Sequence, residues 1–383
     1  MNSTNIYFDH NATTALDAGV LETMLPFMTQ QHGNPTSRHS FGRHARSAIE
    51  RAREQVANAV NAHPSQVIFT SGGTEANNLT ITGIAGSYGV SQIVTSAIEH
   101  PCVSRPALAM KHRGWKLAAL NVDDCGIVKA VELDALLKAD TSIVSVMLAN
   151  NETGALQPVT ELAEIARRHG TTLHTDAVQA LGKIKVDFAE LNVHAMTLSS
   201  HKINGPQGAG ALILDKRIDI QPMIHGGGQE RGLRSGTENV AAIVGFGAAC
   251  ELMQSRLSQH NSYIRPLRER LERGLNKLDA VIFGAVAVRL PNTSFFAFNE
   301  IDGETLVMAL DRKGFAVASG SACSSDSSEP SSVLLAMGVE PDLAKGAIRV
   351  SLGMQNSQEQ IDTFLAVLEQ EITRLRQLTA IAV

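Results

Sequence analysis

Cysteine is scarce in this chain: four among 383 residues, at positions 102, 125, 250 and 323, irregularly spaced and with no CxxC pair. A disulfide framework is thereby excluded, and no zinc site is indicated. There is no excess of basic residues, since 33 Lys and Arg stand against 38 Asp and Glu. Direct nucleic-acid binding therefore has no electrostatic footprint to rest on. The start, MNSTNIYFDHN, has neither a cationic region nor an apolar stretch, so it does not read as a secretory leader. The longest apolar run, AAIVGFGAAC, is well short of the roughly 20 residues a membrane span needs. No internal repeat is visible, and the one biased tract is a serine-rich stretch around Cys323. These absences lead us to expect a cytoplasmic protein without a membrane partner, in which the sequons NAT, NET and NTS carry no meaning.

What is present is an ordinary globular composition, 44% hydrophobic and 19% charged, long enough for two domains. Two apolar segments stand out. TLHTDAV reads as a short buried strand ending at Asp176, and VHAMTLSS as another ending just before His201 and Lys202. In an open α/β sheet, ligands bind beyond the carboxyl ends of the strands, so this aspartate and lysine converge on one crevice. An aspartate beside a pyridinium nitrogen and a lysine as covalent anchor are what pyridoxal 5'-phosphate (PLP) asks of a protein. Taken singly, Asp176 could equally cap a helix over VQALG, and Lys202 could be an exposed turn lysine.

Elsewhere the same design repeats. VIFT is a β-branched run followed by Ser-Gly-Gly-Thr and a helix from about Glu75. Glycines let backbone wrap an anion and the new helix offers free N–H groups, so Gly73 and Thr74 are candidates for a phosphate, or simply for a helix cap. The Gly-Lys-Ser/Thr of a Walker loop is missing. QIVTSAIEH reads as a strand delivering His100 at its end, and TSIVSVMLANNETG as a continuous apolar strand before Asn150 and Asn151. Gln179, three residues past Asp176, shares an early helical face and can donate to the phenolate oxygen of PLP. DHNATT suits a loop over a ligand, with Asn11 as its contact, or plain turn formers. Strands alternating with helices such as VTELAEIARRHG imply right-handed βαβ units and a mainly parallel sheet. A long helix after Glu238, interrupted near Pro266, leads to a C-terminal region of short strands and helices. The glycine-rich HGGGQERGLRSGTEN reads as too flexible for a core element. The serine-rich SGSACSSDSSEPS holds no large apolar residue and cannot bury itself. Cys323 is thus expected to be exposed and mobile, against the usual fate of a free cysteine.

Together YFDHNATT, TSGGTEANN, ANNETG, HTDAVQALG, SSHKINGPQGAGAL, GGGQERGLRSGTEN, SGSACSSDSSEPS and IRVSLG resemble the cysteine desulfurases of the NifS/IscS type, which are fold-type-I PLP enzymes. The resemblance spans Tyr7 to Gly353. It implies an α/β fold with a mainly parallel seven-stranded sheet between helices and a smaller α+β domain. The large domain would take residues 15–257, and the small one residues 1–14 with 258–383. It further implies that His100 stacks on the cofactor ring and is an acid/base candidate, and that Ser199 and His201 contact the phosphate. Asn151 would touch the ring and, with Arg349 and Asn11, the substrate. Thr237 would reach the phosphate of a second copy, which implies a homodimer. L-cysteine would become L-alanine, with its sulfur taken by Cys323 as a persulfide and passed to an acceptor protein. That acceptor stays open between iron-sulfur assembly, tRNA thiolation and DNA phosphorothioation. One departure is Gly73, where the family usually has alanine.

Overall fold

The computed structural model describes residues 5–320 and 329–381, so the expectations for Cys323 lie outside the described residues. Its strands, in chain order, begin with β1 Ile6–Tyr7, β2 Val67–Thr70, β3 Gln92–Ser96, β4 Lys116–Leu120 and β5 Thr141–Ser145. They continue with β6 Thr172–Asp176, β7 Ala195–Ser199 and β8 Gly210–Leu214. These last seven form one sheet in the order β2-β8-β7-β6-β5-β3-β4. Only β8 runs against its neighbours; the pairs β3/β4, β3/β5, β5/β6 and β6/β7 are parallel. β3 and β5 through β8 are buried along their whole length, as strands covered by helices on both faces must be. β4 is one of the two edge strands and carries the exposed Lys116.

The strand order fixes where a ligand can sit. After β3 the chain moves outward to β4, then returns to place β5 on the other side of β3. That reversal opens a crevice at the carboxyl ends of β3 and β5, the place where doubly wound sheets bind ligands.

A second region holds β9 Val281–Ile282, β10 Thr293–Ala297, β11 Phe315–Ala316, β12 Ala318–Ser319 and β13 Ile348–Ser351. The order β12-β13-β10-β9 is antiparallel throughout. β1 pairs in parallel with β11, so the N-terminal segment is built into this region. Its core gathers Phe8, Phe296, Phe298, Phe315 and Phe364. The link is a single helix, Val240–Lys277, that runs unbroken through Pro266, contrary to the interruption expected there. A proline removes one N–H bond, and here the helix stays packed on both sides of it by the buried Ile264 and Leu267. The apolar run at its start is core: Ala242 to Cys250 are all buried. Glycine permits the close approach, because a Cβ on Gly247 would lie 2.8 Å from Ala52 Cα.

The glycine-rich stretch is less loose than its composition suggests. Glu230 within it is 7% exposed and takes a two-pronged ion pair from Arg53, at 2.7 and 2.8 Å. It also accepts the Phe69 N–H at 2.8 Å. Arg53 itself donates to Val67 O and stacks over the Phe69 ring. Sequence pattern misses this because the partner lies far along the chain, on the helix Ser40–Ala59. Removing one member leaves a buried charge unpaired, which typically costs about 3–5 kcal/mol. Glu230→Ala should therefore lower the urea midpoint far more than Glu50→Ala, which removes only an exposed partner of the same arginine.

Candidate active site

The carboxyl-end crevice is a cavity of about 510 Å³. Its walls include Asn11, Gly73, Thr74, His100, Asn151, Asp176, Gln179, Ser199, His201, Lys202 and Arg349. Every described residue singled out from the sequence lines it except Thr237, which is exposed in a separate depression beside Glu230 and Arg234.

Asp176 closes β6 and is 7% exposed. Its two oxygens are already aimed: Oδ2 accepts Asn77 Nδ2 at 2.7 Å and Oδ1 accepts the Val178 N–H at 2.9 Å. The second bond closes an Asx-type turn. VQALG is accordingly a series of turns, not the helix expected, and Asp176 caps nothing. Lys202 ends a single turn after β7, and its ammonium donates to the carbonyls of Asn11 and, at 2.7 Å, Ala12. Gln179 reaches the same Asn11 carbonyl through Nε2 at 2.9 Å, while its Oε1 accepts from Lys183 at 2.7 Å.

His100 lies four residues beyond β3, not at its end, and caps the helix Pro101–Lys111. Its Nδ1 accepts the Cys102 backbone N–H at 3.2 Å and lies 2.8 Å from Cys102 Sγ. An acceptor Nδ1 leaves the ring proton on Nε2. Burial lowers the His100 pKa, Asp176 pulls it back up, and Lys202, Arg105 and Arg349 lower it further. Asn150 and Asn151 likewise sit well past the end of β5, because Val146 to Ala149 continue it as buried irregular chain still hydrogen-bonded to β6 through Val146 and Leu148. An apolar run alone does not distinguish that from strand.

At the N-terminus of the helix Gly73–Ser87 no side chain caps the backbone. Gly72 adopts φ 155° and ψ 179°, a conformation essentially reserved for glycine, with open space where a Cβ would stand. Ser199 Oγ nearby is buried without a hydrogen-bond partner. His201 is held neutral at neutral pH, its pKa lowered to about 4 by burial and by Lys202 and Lys183. On the opposite wall Arg349 pairs with Asp9 at 2.7 Å and donates to the Asn151 carbonyl at 3.0 Å. Asn11 contributes chiefly its carbonyl, since its side chain is engaged by Thr293, Asn151 and Asn292.

Sequence reasoning missed Asn77, which ties Asp176 to the Cys102 sulfur, and the buried carboxyls Glu99 and Glu152. Asn77 sits one helical turn past Thr74 on the inward face, a position that only the strand order brings against Asp176. Glu99 accepts from Ser96 Oγ and the Met147 N–H, and burial, with Asp176 adding to it, pushes its pKa up to about 8. Glu152 accepts Ser331 Oγ and is pushed up to about 7 by burial.

The donor set fits PLP. An orphaned serine hydroxyl and an uncapped helix end suit a phosphate, a buried carboxylate suits a pyridinium, and a lysine stands beside them. Comparison with known proteins agrees. The sequence profile of the class-V aminotransferase family matches residues 6–364. A curated relative, cysteine desulfurase IscS of Dictyoglomus turgidum, is 43% identical over 98% of this chain and 96% of its own. Among solved structures, a NifS-like protein superposes with a TM-score of 0.91 at 40% identity, covering 96% of this chain and 99% of that one. SspA in complex with cysteine gives 0.80 at 31%, covering 91% and 98%. The chain belongs to the class-V aminotransferase family of PLP-dependent enzymes, on its cysteine desulfurase branch.

Glu99 generates a pH prediction. A carboxyl raised from its unfolded value near 4.5 to about 8 destabilises the fold progressively as pH rises between those values, each unit being about 1.4 kcal/mol. Below the lower value the two states bind the proton equally. Glu99→Gln keeps a neutral acceptor, so its melting temperature should hold up better than the parent's between mildly acidic and mildly alkaline pH. Parallel curves for the two proteins would show that Glu99 does not hold its proton.

Proposed function

We propose that this enzyme converts L-cysteine and the Cys323 thiol into L-alanine and a Cys323 persulfide. The observation that carries this reading is the convergence of Lys202, Asp176, His100 and Arg349 on one cavity between the two sheets. Bound PLP supplies an electron sink for the pair released when the substrate Cα–H bond breaks.

The chain's own groups account for the rest. Asp176, aimed by Asn77 and Val178, holds the proton of the cofactor nitrogen. Ser199, His201 and the N–H groups after Gly72 hold the phosphate, with Gly73 and Thr74 forming the cradle. Lys202 anchors the cofactor and moves protons at the substrate carbon. Arg349 binds the substrate carboxylate in exchange for part of its contact with Asp9, beside Asn151. His100, stacked on the cofactor ring with its proton on Nε2, is the acid/base group beside the reacting carbon and sulfur. The Cys323 thiolate forms a bond to that sulfur while the Cβ–S bond breaks, its electron pair staying with carbon, which is then protonated to give alanine.

The other cysteines support this choice. Burial pushes the Cys102 and Cys250 thiols far up, and Cys125 is also raised, by burial and then by Asp124. The thiolate is the nucleophile, so none of these three is ready to take sulfur. Thr237, exposed and not part of its own cavity, is assigned to the phosphate of a second copy in a homodimer. A sulfur-acceptor protein completes the turnover.

Two substitutions test the scheme. Lys202→Ala should abolish turnover, and borohydride treatment of the unmodified holoenzyme should place the cofactor label on the Lys202 peptide; a label elsewhere would displace that assignment. Cys323→Ser should fold and bind PLP normally yet lose sulfur transfer. Mass spectrometry of the unmodified protein after cysteine treatment should find the extra sulfur on the Cys323 peptide. Sulfur on Cys102, Cys125 or Cys250, or full alanine production by the serine variant, would remove Cys323 from the mechanism.

A further inference from the structure

Lys202 lines not one cavity but two. Behind it, away from Asp176, lies a second cavity of about 160 Å³ whose ionisable lining is His10, Asp17, Lys183, Lys202, Arg256 and His260. The inner residues are deep: Lys183 is 4% exposed and His10 is 6% exposed. The outer residues reach solvent: Leu16 and Met354 are about 40% exposed and the Arg256 side chain is 54% exposed. The cavity thus runs from an arginine at its mouth to a lysine at its floor.

Its charges do not balance. The one acid, Asp17, is consumed: Oδ2 pairs with Arg256 at 2.7 Å and Oδ1 accepts the Gly19 N–H at 2.8 Å. Against it stand two lysines, an arginine and two histidines. Among the described residues the Lys183 ammonium has one hydrogen-bond partner, Gln179, although an ammonium carries three donors. A buried cation lacking an anion is costly, which favours the neutral amine. Burial drives Lys183 well below its usual pKa, with Lys202 and Arg349 adding to the effect. Burial and then Lys183 bring His10 down to about 4, and burial lowers His260 as well.

We propose that this second cavity is a binding site for a small monoanion, a short carboxylate or a halide, held at its floor by Lys183 and admitted past Arg256. A cavity of about 150 Å³ accommodates a benzene-sized molecule, so a carboxylate of up to about six non-hydrogen atoms fits. The site is separate from the cofactor's. Because Lys202 forms part of both walls, an anion here adds negative potential at the amine that the other cavity uses. The anion favours the protonated forms of Lys183, His10 and His260, so its binding takes up protons and tightens as pH falls. Asp17 and Arg256 neutralise each other.

Holoenzyme crystals soaked in sodium bromide should show an anomalous peak in contact with Lys183 Nζ. Calorimetric titration with sodium formate should give proton uptake and an affinity that rises toward lower pH. Lys183→Met, close in length and apolar, should abolish the bromide peak and weaken formate by at least about tenfold, the equivalent of one charged hydrogen bond. Arg256→Gln lies at the surface and is expected to fold; it unmasks Asp17 and should weaken formate as well. A cavity without bromide, a peak that persists in Lys183→Met, formate binding without proton uptake, or unchanged formate affinity in Arg256→Gln would each overturn the proposal.

Discussion

One backbone carbonyl gathers the site. Asn11 O accepts from both Lys202 and Gln179, residues delivered by two adjacent strands of the large sheet. Meanwhile the Asn11 side chain is locked to Thr293, Asn292 and Asn151. The N-terminal segment is therefore a strap that measures the distance between the large sheet and the smaller one. A carbonyl cannot be mutated away, so this restraint depends on the path of the backbone, which the β1–β11 pairing and the Asp9 to Ser351 bridge hold in place.

From that restraint the division of labour follows. The large sheet supplies Asp176, Lys202, Ser199 and the glycine turn from strand ends that cannot shift without disturbing a fully buried core. The smaller sheet supplies Arg349 from β13, opposite them. Groups from two separate sheets thus face one cavity, and the proposed division between substrate recognition and cofactor chemistry follows that boundary.

The fold was legible because its strands are short apolar runs with turn residues behind them, and Val67–Thr70, Thr172–Asp176 and Ala195–Ser199 fall where pattern alone puts them. Asp176 and Lys202 were legible for the same reason: a charge directly after a buried strand has few places to go. His100 and Asn151 were identified as site residues but misplaced, since apolar chain continues past the strands that precede them. Asn77, Lys183 and Glu230 were not legible as partners. Each is a polar residue whose meaning is a contact far along the chain, and local periodicity holds no record of which element will be packed against it. The serine-rich stretch was singled out by composition, and its Cys323 lies outside the described residues.

The glycine at the head of the phosphate-facing helix is bound up with a residue on another element. A Cβ on Gly73 would come within 2.9 Å of Val178 Cγ2, so the side chains at these two positions compete for the same volume. A methyl group at the first position would therefore need room made at the second. Steric exclusion at a single point thus couples the two positions: with alanine at 73, the valine at 178 has to turn aside or be shortened.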